Sequence, residues 1–360
     1  MSEKFNRAKL LGAKYSLRCV LFHHIADRPS PFTEGLDVTM GSNDFAARIR
    51  FLAKYYTPID LDTFLAATRG AELPRRPILV TFDDAYASVA EVAAPICRKY
   101  HVPVSFFVNG SFLGNRDLSI DNFVCYVANT FGFKEINAVA REINGPLQAE
   151  LRSRRQVTAE FITALSTEQR EAFKLRLAAA VGVSIERLAN DAGLYLSTEQ
   201  LREMASSGFE IGNHTFTHVH GRVLTGGDFS SEIEQNKSTL ERVSGTKVRA
   251  FSLPYGSVVD FTPTLEAYLR NSGHEAAFLV ESRKNTDATD LYHLNRVCLG
   301  TSTSQTAKAT SALLGSTPAA SFVEIEMLPR LRSIRDAVIG SRKSELGPET
   351  SAPATVKNPR

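Results

Sequence analysis

The sequence of 360 residues has few cysteines and little net charge, and both shortages exclude classes of protein. The cysteines form no C-x-x-C pair and mostly lie in apolar runs, so we expect buried thiols rather than a disulfide framework or a thiolate zinc site. They are Cys19, Cys97, Cys125 and Cys298. The net charge of +3 is too small to indicate a nucleic acid as the main partner.

Long apolar runs are also lacking. No segment is long enough to span a bilayer, and residues 1–18 carry charges throughout without the apolar core of a signal peptide. We therefore expect a soluble, cytoplasmic protein without a transmembrane segment. The chain is long enough for one large α/β domain of about 250 residues with an insertion, or for two domains.

An apolar, β-rich run at residues 78–82 (ILVTF) predicts a strand that is buried on both of its faces. The strand ends in two adjacent carboxylates, Asp83 and Asp84, and a helical pattern follows at residues 88–100. Ligands of α/β proteins bind at the carboxyl ends of parallel strands, so both aspartates are candidates for a functional site. A second interpretation, in which one aspartate caps the following helix, is equally open at this point.

The segments around this strand alternate between strand and helix patterns, which predicts a parallel sheet. The first strand ends at His23 and His24, which could face the same site, although a structural role is the commoner one for such histidines. Further strands are expected at residues 19–22, 104–108 and 209–212, and further helices at residues 43–53, 61–68 and 198–206.

The alternation stops between residues 111 and 196, where helical periodicity prevails and convincing strand runs are lacking. The clearest helices are expected at residues 158–165 and 167–180. A structureless loop of about 85 residues would be improbable in a compact domain, so we predict a helical insertion. Because the insertion leaves from the carboxyl end of the strand at 104–108, we expect it to border the mouth of the site.

His214 and His218 follow the end of the strand at 209–212. A spacing of four residues places both imidazoles on one face of a helical turn, where they can hold one metal ion. A carboxylate from another strand end would complete three ligands and leave positions open for water and substrate. The H-x-x-x-H spacing is weak evidence alone, and the upstream Asp83–Asp84 pair strengthens it.

Three segments in this order resemble motifs of one enzyme superfamily: 81–84 (TFDD), 214–218 (HTFTH) and 251–256 (FSLPYG). They are similar to the first three motifs of the polysaccharide deacetylase superfamily. This superfamily is also called carbohydrate esterase family four, and its domain is known as the chitooligosaccharide deacetylase-like domain. Residues 22–25 (FHHI) resemble the opening strand of its exopolysaccharide-processing branch. The resemblance covers residues 17–300, apart from the insertion. It implies a distorted (β/α) barrel.

The resemblance also implies an activity, the hydrolysis of N-acetyl groups on a sugar of a glycan or glycan precursor. Transferred residue by residue, Asp84, His214 and His218 would hold a divalent metal ion, with zinc as the first candidate. Asp83 would be the general base. Such an ion polarises a carbonyl and lowers the pKa of water, and a neighbouring carboxylate can then accept the proton of the attacking water.

The third motif implies an oxyanion donor, the backbone N–H of Tyr255. Pro254 and Gly256 on either side suit a tight loop that presents its backbone to the substrate. The fifth motif implies a histidine that protonates the leaving amine. His293, in the segment 291–297, is the first candidate for this general acid, and His23 and His24 are alternatives that could reach the same barrel face and contact the substrate.

Three features depart from the family pattern. Ala85 stands where the family usually has glycine, and Ser252 stands where many members carry an arginine that orients the base. The sequence has no tryptophan, so the fourth motif is absent in its usual form. These departures leave an alternative function open, a catalytically impaired carbohydrate-binding or scaffold protein on the same barrel.

The last segment of the chain predicts a separate helix. Apolar residues recur at helical spacing between residues 318 and 340, and this helix could dock on the barrel or make a peripheral contact with a membrane. Residues 341–360 are rich in proline, serine and charge, which predicts a disordered tail.

Overall fold

The computed structural model describes residues 17–143, 150–281, 285–286 and 289–299. The strands in this part of the chain are β1 (Arg18–Phe22), β2 (His24–Ile25), β3 (Thr39–Met40), β4 (Thr57–Pro58), β5 (Pro77–Phe82), β6 (Val104–Val108), β7 (Glu210–Asn213), β8 (Ala250–Ser252), β9 (Ala276–Leu279), β10 (Leu294–Asn295) and β11 (Val297–Cys298).

The α-helices in the same residues are α1 (Ser42–Tyr55), α2 (Leu61–Thr68), α3 (Ala94–Lys99), α4 (Ile120–Thr130), α5 (Lys134–Glu142), α6 (Thr167–Val181), α7 (Ile185–Ala192), α8 (Thr198–Ser206), α9 (Gln235–Ser244) and α10 (Pro263–Asn271). Single π-helical turns are formed by Val89–Ala93, Gln156–Phe161 and Ser230–Glu234. Short 3₁₀ turns are formed by Gly110–Phe112, Ile162–Ala164, Gly221–Val223 and Val258–Asp260.

The main sheet is a nearly closed parallel barrel. Its strands pair in the order β10-β9-β8-β7-β6-β5-β1-β11, and β4 adds to β5. Only Arg296 separates β10 from β11; β10 pairs with β9, whereas β11 pairs with β1, where Val20 is opposite Val297. The last strand segment therefore joins the two ends of the sheet. The predicted (β/α) barrel is confirmed.

Both faces of β5 are buried, as its apolar run predicts. Leu79 on one side belongs to a core cluster that includes Phe64 of α2. Phe82 packs against Phe22 and Phe45, with ring centroids 5.5 and 5.6 Å apart. Burial of each such side chain contributes about 1.5–3 kcal/mol. The backbone that leads into Asp83 and Asp84 is thus fixed by packing on two sides.

Helices α4 to α7 lie between β6 and β7, in the segment 111–196 for which the sequence predicts a helical insertion. Helix α6 begins with a capping box formed by Ser166 and Gln169. Asn122 of α4 connects the insertion to the barrel, because its Nδ2 donates to Tyr86 Oη at 3.0 Å and its Oδ1 accepts from Tyr195 Oη at 2.6 Å. The start of α4 is therefore held beside the loop that follows β5.

The predicted helix at 318–340 and the tail at 341–360 lie outside the described residues, so both stay predictions. The same holds for a membrane contact through that helix. Among the described helices, none combines the length and apolar character needed to cross a membrane.

Candidate active site

Three side chains from two strand ends meet at the mouth of the barrel. Asp84 follows β5, and His214 and His218 follow β7. The Oδ1 atom of Asp84 lies 3.3 Å from Nε2 of each histidine, and the three candidate ligand atoms lie within 4.8 Å of one another. Two imidazole nitrogens and one carboxylate oxygen form a ligand set suited to zinc and similar divalent ions. The residues therefore fit the metal that the resemblance implies.

A backbone carbonyl orients His214. Its Nδ1 lies 2.8 Å from the carbonyl oxygen of Ser252, at the end of β8, to which it can donate. This bond leaves Nε2 without its proton and directed towards Asp84, the tautomer that a metal ligand needs. His214 as a whole is only 1% exposed, so solvent does not compete for the bond.

The helical insertion supplies the partner of His218. Nδ1 of His218 lies 3.3 Å from Oδ2 of Asp121, in the first turn of α4. The same oxygen accepts a 2.6 Å hydrogen bond from Tyr255 Oη. Arg170 of α6 donates to the backbone carbonyl of His218 at 2.8 Å. Asp121 and Arg170 are functional candidates that the sequence did not indicate, because no local motif marks either residue.

The loops at the site have backbone conformations that are rare for residues other than glycine. Asp84, Ala85, Thr215, His218 and Tyr255 have φ angles between 58° and 75°. Such conformations cost of order 1–3 kcal/mol each and persist only where surrounding structure holds them. The positive φ of 58° at Ala85 gives a physical reason for the glycine that the family usually carries there.

A cavity of about 320 Å³ lies above the three candidate ligands. Its floor includes Asp83 and Asp84, and its walls include residues 36–38 of the loop between β2 and β3. Thr158 and Tyr195 line it from the insertion. The insertion thus borders the site. The volume is at the lower end of the range of pockets that bind small molecules.

The sequence model of the polysaccharide deacetylase family matches residues 70–277. The chain belongs to this family. No curated protein matches the sequence.

Solved deacetylase structures share the fold at low sequence identity. PplD, a deacetylase from Streptococcus pyogenes solved in complex with acetate, is 14% identical with a TM-score of 0.54, and the match covers 84% of this chain and 99% of PplD. IcaB from Ammonifex degensii is 20% identical with a TM-score of 0.52, covering 82% and 97% of the two chains. BA0330 from Bacillus anthracis, described as a polysaccharide deacetylase, is 17% identical with a TM-score of 0.52, covering 82% and 69%. These identities support the fold alone.

Asp83 has an arginine partner despite the serine in the third family motif. The carboxylate is 3% exposed and receives two hydrogen bonds of 2.8 Å from the guanidinium of Arg296. Ser252 Oγ lies 3.1 Å from Asp83 Oδ2. The concern that Ser252 deprives the base of an arginine is therefore not borne out by the geometry. Arg296 was not recognised from the sequence, because it lies far along the chain, between β10 and β11.

The candidates for the general acid lie in different places. His23 lines the cavity beside Asp84. His24 does not line it; Nδ1 of His24 lies 3.0 Å from Thr39 Oγ1 in the small β2–β3 sheet.

His293 is in a separate cluster outside the cavity. Its Nε2 lies 3.7 Å from a carboxylate oxygen of Glu266, and its ring packs against Phe261. Arg270 already binds the carboxylates of both Glu266 and Asp290 in this cluster. The structure therefore brings His23, and not His293, to the proposed site.

The loop that carries the proposed oxyanion donor is tightly packed. Tyr255 lines the cavity, and its ring stacks on His220. Pro254 is buried, and Gly256 has a φ of 71° at a position where a Cβ would collide with Val280. Pro254 and Gly256 thus shape the loop, while Tyr255 is the residue of the three that borders the cavity.

The electrostatic surroundings favour charged forms of the acidic and basic groups. Burial alone would raise the pKa of Asp83, but Arg296 and His214 outweigh it and hold that pKa below its ordinary value. Burial also raises the pKa of Asp84, but the neighbouring imidazoles outweigh it, so the pKa of Asp84 is lowered as well. Burial disfavours the charged form of His23, yet Cys298 and the carboxylates of Asp84 and Asp83 raise its pKa to about 9.

Proposed function

We propose that the protein is a metal-dependent hydrolase that removes N-acetyl groups from an N-acetylated sugar of a glycan or glycan precursor. One observation carries this proposal: Asp84, His214 and His218 converge beside the buried carboxylate of Asp83, in a cavity at the mouth of the barrel. Membership of the deacetylase family supports the reaction type. Zinc as the ion and the cytoplasm as the location stay predictions.

The roles of the side chains follow from their positions. A divalent ion held by Asp84, His214 and His218 would supply Lewis acidity to the acetyl carbonyl and to the attacking water. Asp83 is ionised because its pKa is low, so it can accept a proton from that water. The backbone N–H of Tyr255 would donate to the oxyanion that forms at the acetyl carbon.

His23 completes the reaction as the general acid. It lines the cavity, and Cys298 and the carboxylates of Asp84 and Asp83 raise its pKa against the effect of burial, which favours the protonated form that the leaving amine requires. The C–N bond of the amide breaks, the water oxygen stays on the acetyl group, and the sugar nitrogen takes the proton of His23. The acetic acid formed loses its remaining proton to solvent and leaves as acetate. Asp83 then holds the proton from water, which returns to solvent or to His23.

The binding-protein alternative has less support than the sequence suggested. That alternative was based on two features of the sequence: Ser252 stands where an arginine usually orients the base, and the general acid was not identified. Arg296 contacts Asp83, and His23 lines the cavity, so the geometry offers a partner for the base and an acid.

Acetate release from a panel of N-acetylated mono-, oligo- and polysaccharides tests the proposal. Wild-type protein should release acetate, lose this activity with a chelator and regain it with Zn²⁺ or Co²⁺. Asp83→Asn should keep its metal but turn over about 10²–10⁴-fold more slowly, the usual contribution of general acid–base catalysis. Asp84→Asn should lose metal affinity first, because it removes an anionic ligand, and excess metal should partly restore activity.

Asp191→Asn is a matched control, since its exposed carboxylate on α7 faces Arg187 at the surface. It should behave as the wild type. Absence of acetate release from every sugar by metal-loaded wild-type protein would refute the proposed function. If Asp83→Asn lost metal while Asp84→Asn retained it, the two carboxylates would have the opposite roles.

A further inference from the structure

Arg296 occupies the break in the strand segment that closes the barrel. It stands between β10 and β11, and its backbone N–H donates to the carbonyl of Leu279 in β9 at 3.0 Å. The side chain is completely buried. Its guanidinium lies over the rings of Phe107 and Phe278, 5.4 and 5.9 Å from their centroids. The strand break therefore directs a charged side chain into the barrel.

The guanidinium holds Asp83 through both carboxylate oxygens. Nη1 donates to Oδ1 and Nη2 donates to Oδ2, each at 2.8 Å. Nη1 also donates to Thr81 Oγ1 at 3.2 Å, and Nη2 to Ser252 Oγ at 2.7 Å. Two parallel bonds to a planar group fix the plane of a carboxylate, which a point charge such as lysine cannot do. The orientation of Asp83 is thus set from the closing strand.

Ser252 leaves the space that the guanidinium fills. Its hydroxyl contacts both Asp83 and Arg296, at 3.1 and 2.7 Å. An arginine at position 252 would have to enter the volume that the Arg296 guanidinium occupies, and two buried like charges would then lie side by side. A small residue at one of positions 252 and 296 is therefore complementary to an arginine at the other. A single arginine at either position can bind the carboxylate of Asp83.

We propose that Arg296 is the positioning residue of the general base and that it reaches Asp83 from the closing strand, through the space that the small side chain of Ser252 leaves. This inference rests on the proposed function, because it assigns Asp83 a catalytic orientation. Arg296 acts only through Asp83 and touches no reacting atom. Its loss should lower kcat and leave KM and metal content nearly unchanged.

A double-mutant cycle tests whether Arg296 acts through Asp83. Arg296→Ser should lower kcat by about 10²-fold, the cost of a misplaced catalytic group. In the Asp83→Asn background the same substitution should change kcat by less than about threefold, because no carboxylate remains to be oriented. Arg296→Lys should lower kcat nearly as much as Arg296→Ser does, although it keeps the positive charge.

The exchanged variant Ser252→Arg/Arg296→Ser tests the complementarity. It should be at least about tenfold more active than Arg296→Ser, because the arginine returns to the carboxylate from the other strand. Metal content and thermal unfolding are measured for every variant. If Arg296→Ser does not fold, Arg296→Lys replaces it in the cycle.

The outcomes separate the inference from the function on which it rests. Equal losses of kcat in the wild-type and Asp83→Asn backgrounds, or an unchanged kcat in both single variants, overturn the positioning role. An exchanged variant no more active than Arg296→Ser overturns the complementarity of positions 252 and 296. Wild-type protein that releases no acetate overturns the proposed function, and the inference falls with it.

Discussion

The substitution Asp121→Asn tests whether the insertion is part of the metal site. Asp121 is 8% exposed, and its Oδ2 is shared by His218 Nδ1 and Tyr255 Oη. A carboxamide keeps the shape of the group but removes the negative charge that holds the Nδ1 proton of His218. Loss of such a partner typically weakens metal binding about 10–100-fold. The expected change in binding free energy is thus about 1.4–2.8 kcal/mol.

Competition with a chromophoric chelator measures the Zn²⁺ dissociation constant of each variant directly, without any need for activity. Tyr255→Phe is the matched control, because it removes the other hydrogen bond to Asp121 and leaves the bond to His218 in place. Its dissociation constant should stay within about threefold of the wild type. An Asp121→Asn protein that is folded and binds Zn²⁺ as tightly as the wild type would refute this role for the insertion.

Two further predictions concern histidines. His23→Gln should lower kcat for acetate release by about 10²-fold without loss of metal, whereas His293→Ala should stay within about threefold of the wild type; the opposite order would restore His293 as the acid. Burial lowers the pKa of His274 to about 3, so the folded protein keeps this imidazole neutral while the unfolded chain takes up a proton below pH 6.5. The stability that neutral His274 contributes is therefore present above that pH and is lost on acidification, by about 2 kcal/mol between pH 7 and pH 5. Urea unfolding of metal-free protein should show this loss, and His274→Gln should show correspondingly less; equal pH dependence of the two proteins would contradict the assignment.

The sequence predicted the residues that lie next to one another in the chain and at the end of a strongly apolar strand. β5 is apolar along its length, so its end and the position of Asp83 and Asp84 could be read directly. His214 and His218 were recognisable because they are only four residues apart in the chain. By contrast, β8 and β9 are three and four residues long, and Ala276–Leu279 has little β-branched character to mark a strand. They form because neighbouring strands pair with them.

Contacts across the barrel could not be predicted in the same way. Arg296 and Asp83 are 213 residues apart, and Asp121 and His218 are 97 residues apart, so no spacing in the sequence relates them. The preference for His293 over His23 came from the order of the family's motifs along the chain. Order along the chain does not give position around a closed barrel, where the first and last strands are neighbours.

Closure of the barrel also brings one segment of the chain against both the proposed base, Asp83, and the proposed acid, His23. Arg296, in the break before β11, and Cys298, at the end of β11, stand two residues apart on the closing segment. Arg296 binds Asp83, while Cys298 is beside His23, the residue that follows β1, and raises its pKa. One short segment therefore lies against both side chains to which we assign proton transfer, Asp83 and His23. The pairing of Val297 with Val20 fixes where both residues lie, so it constrains the proposed chemistry as well as the fold.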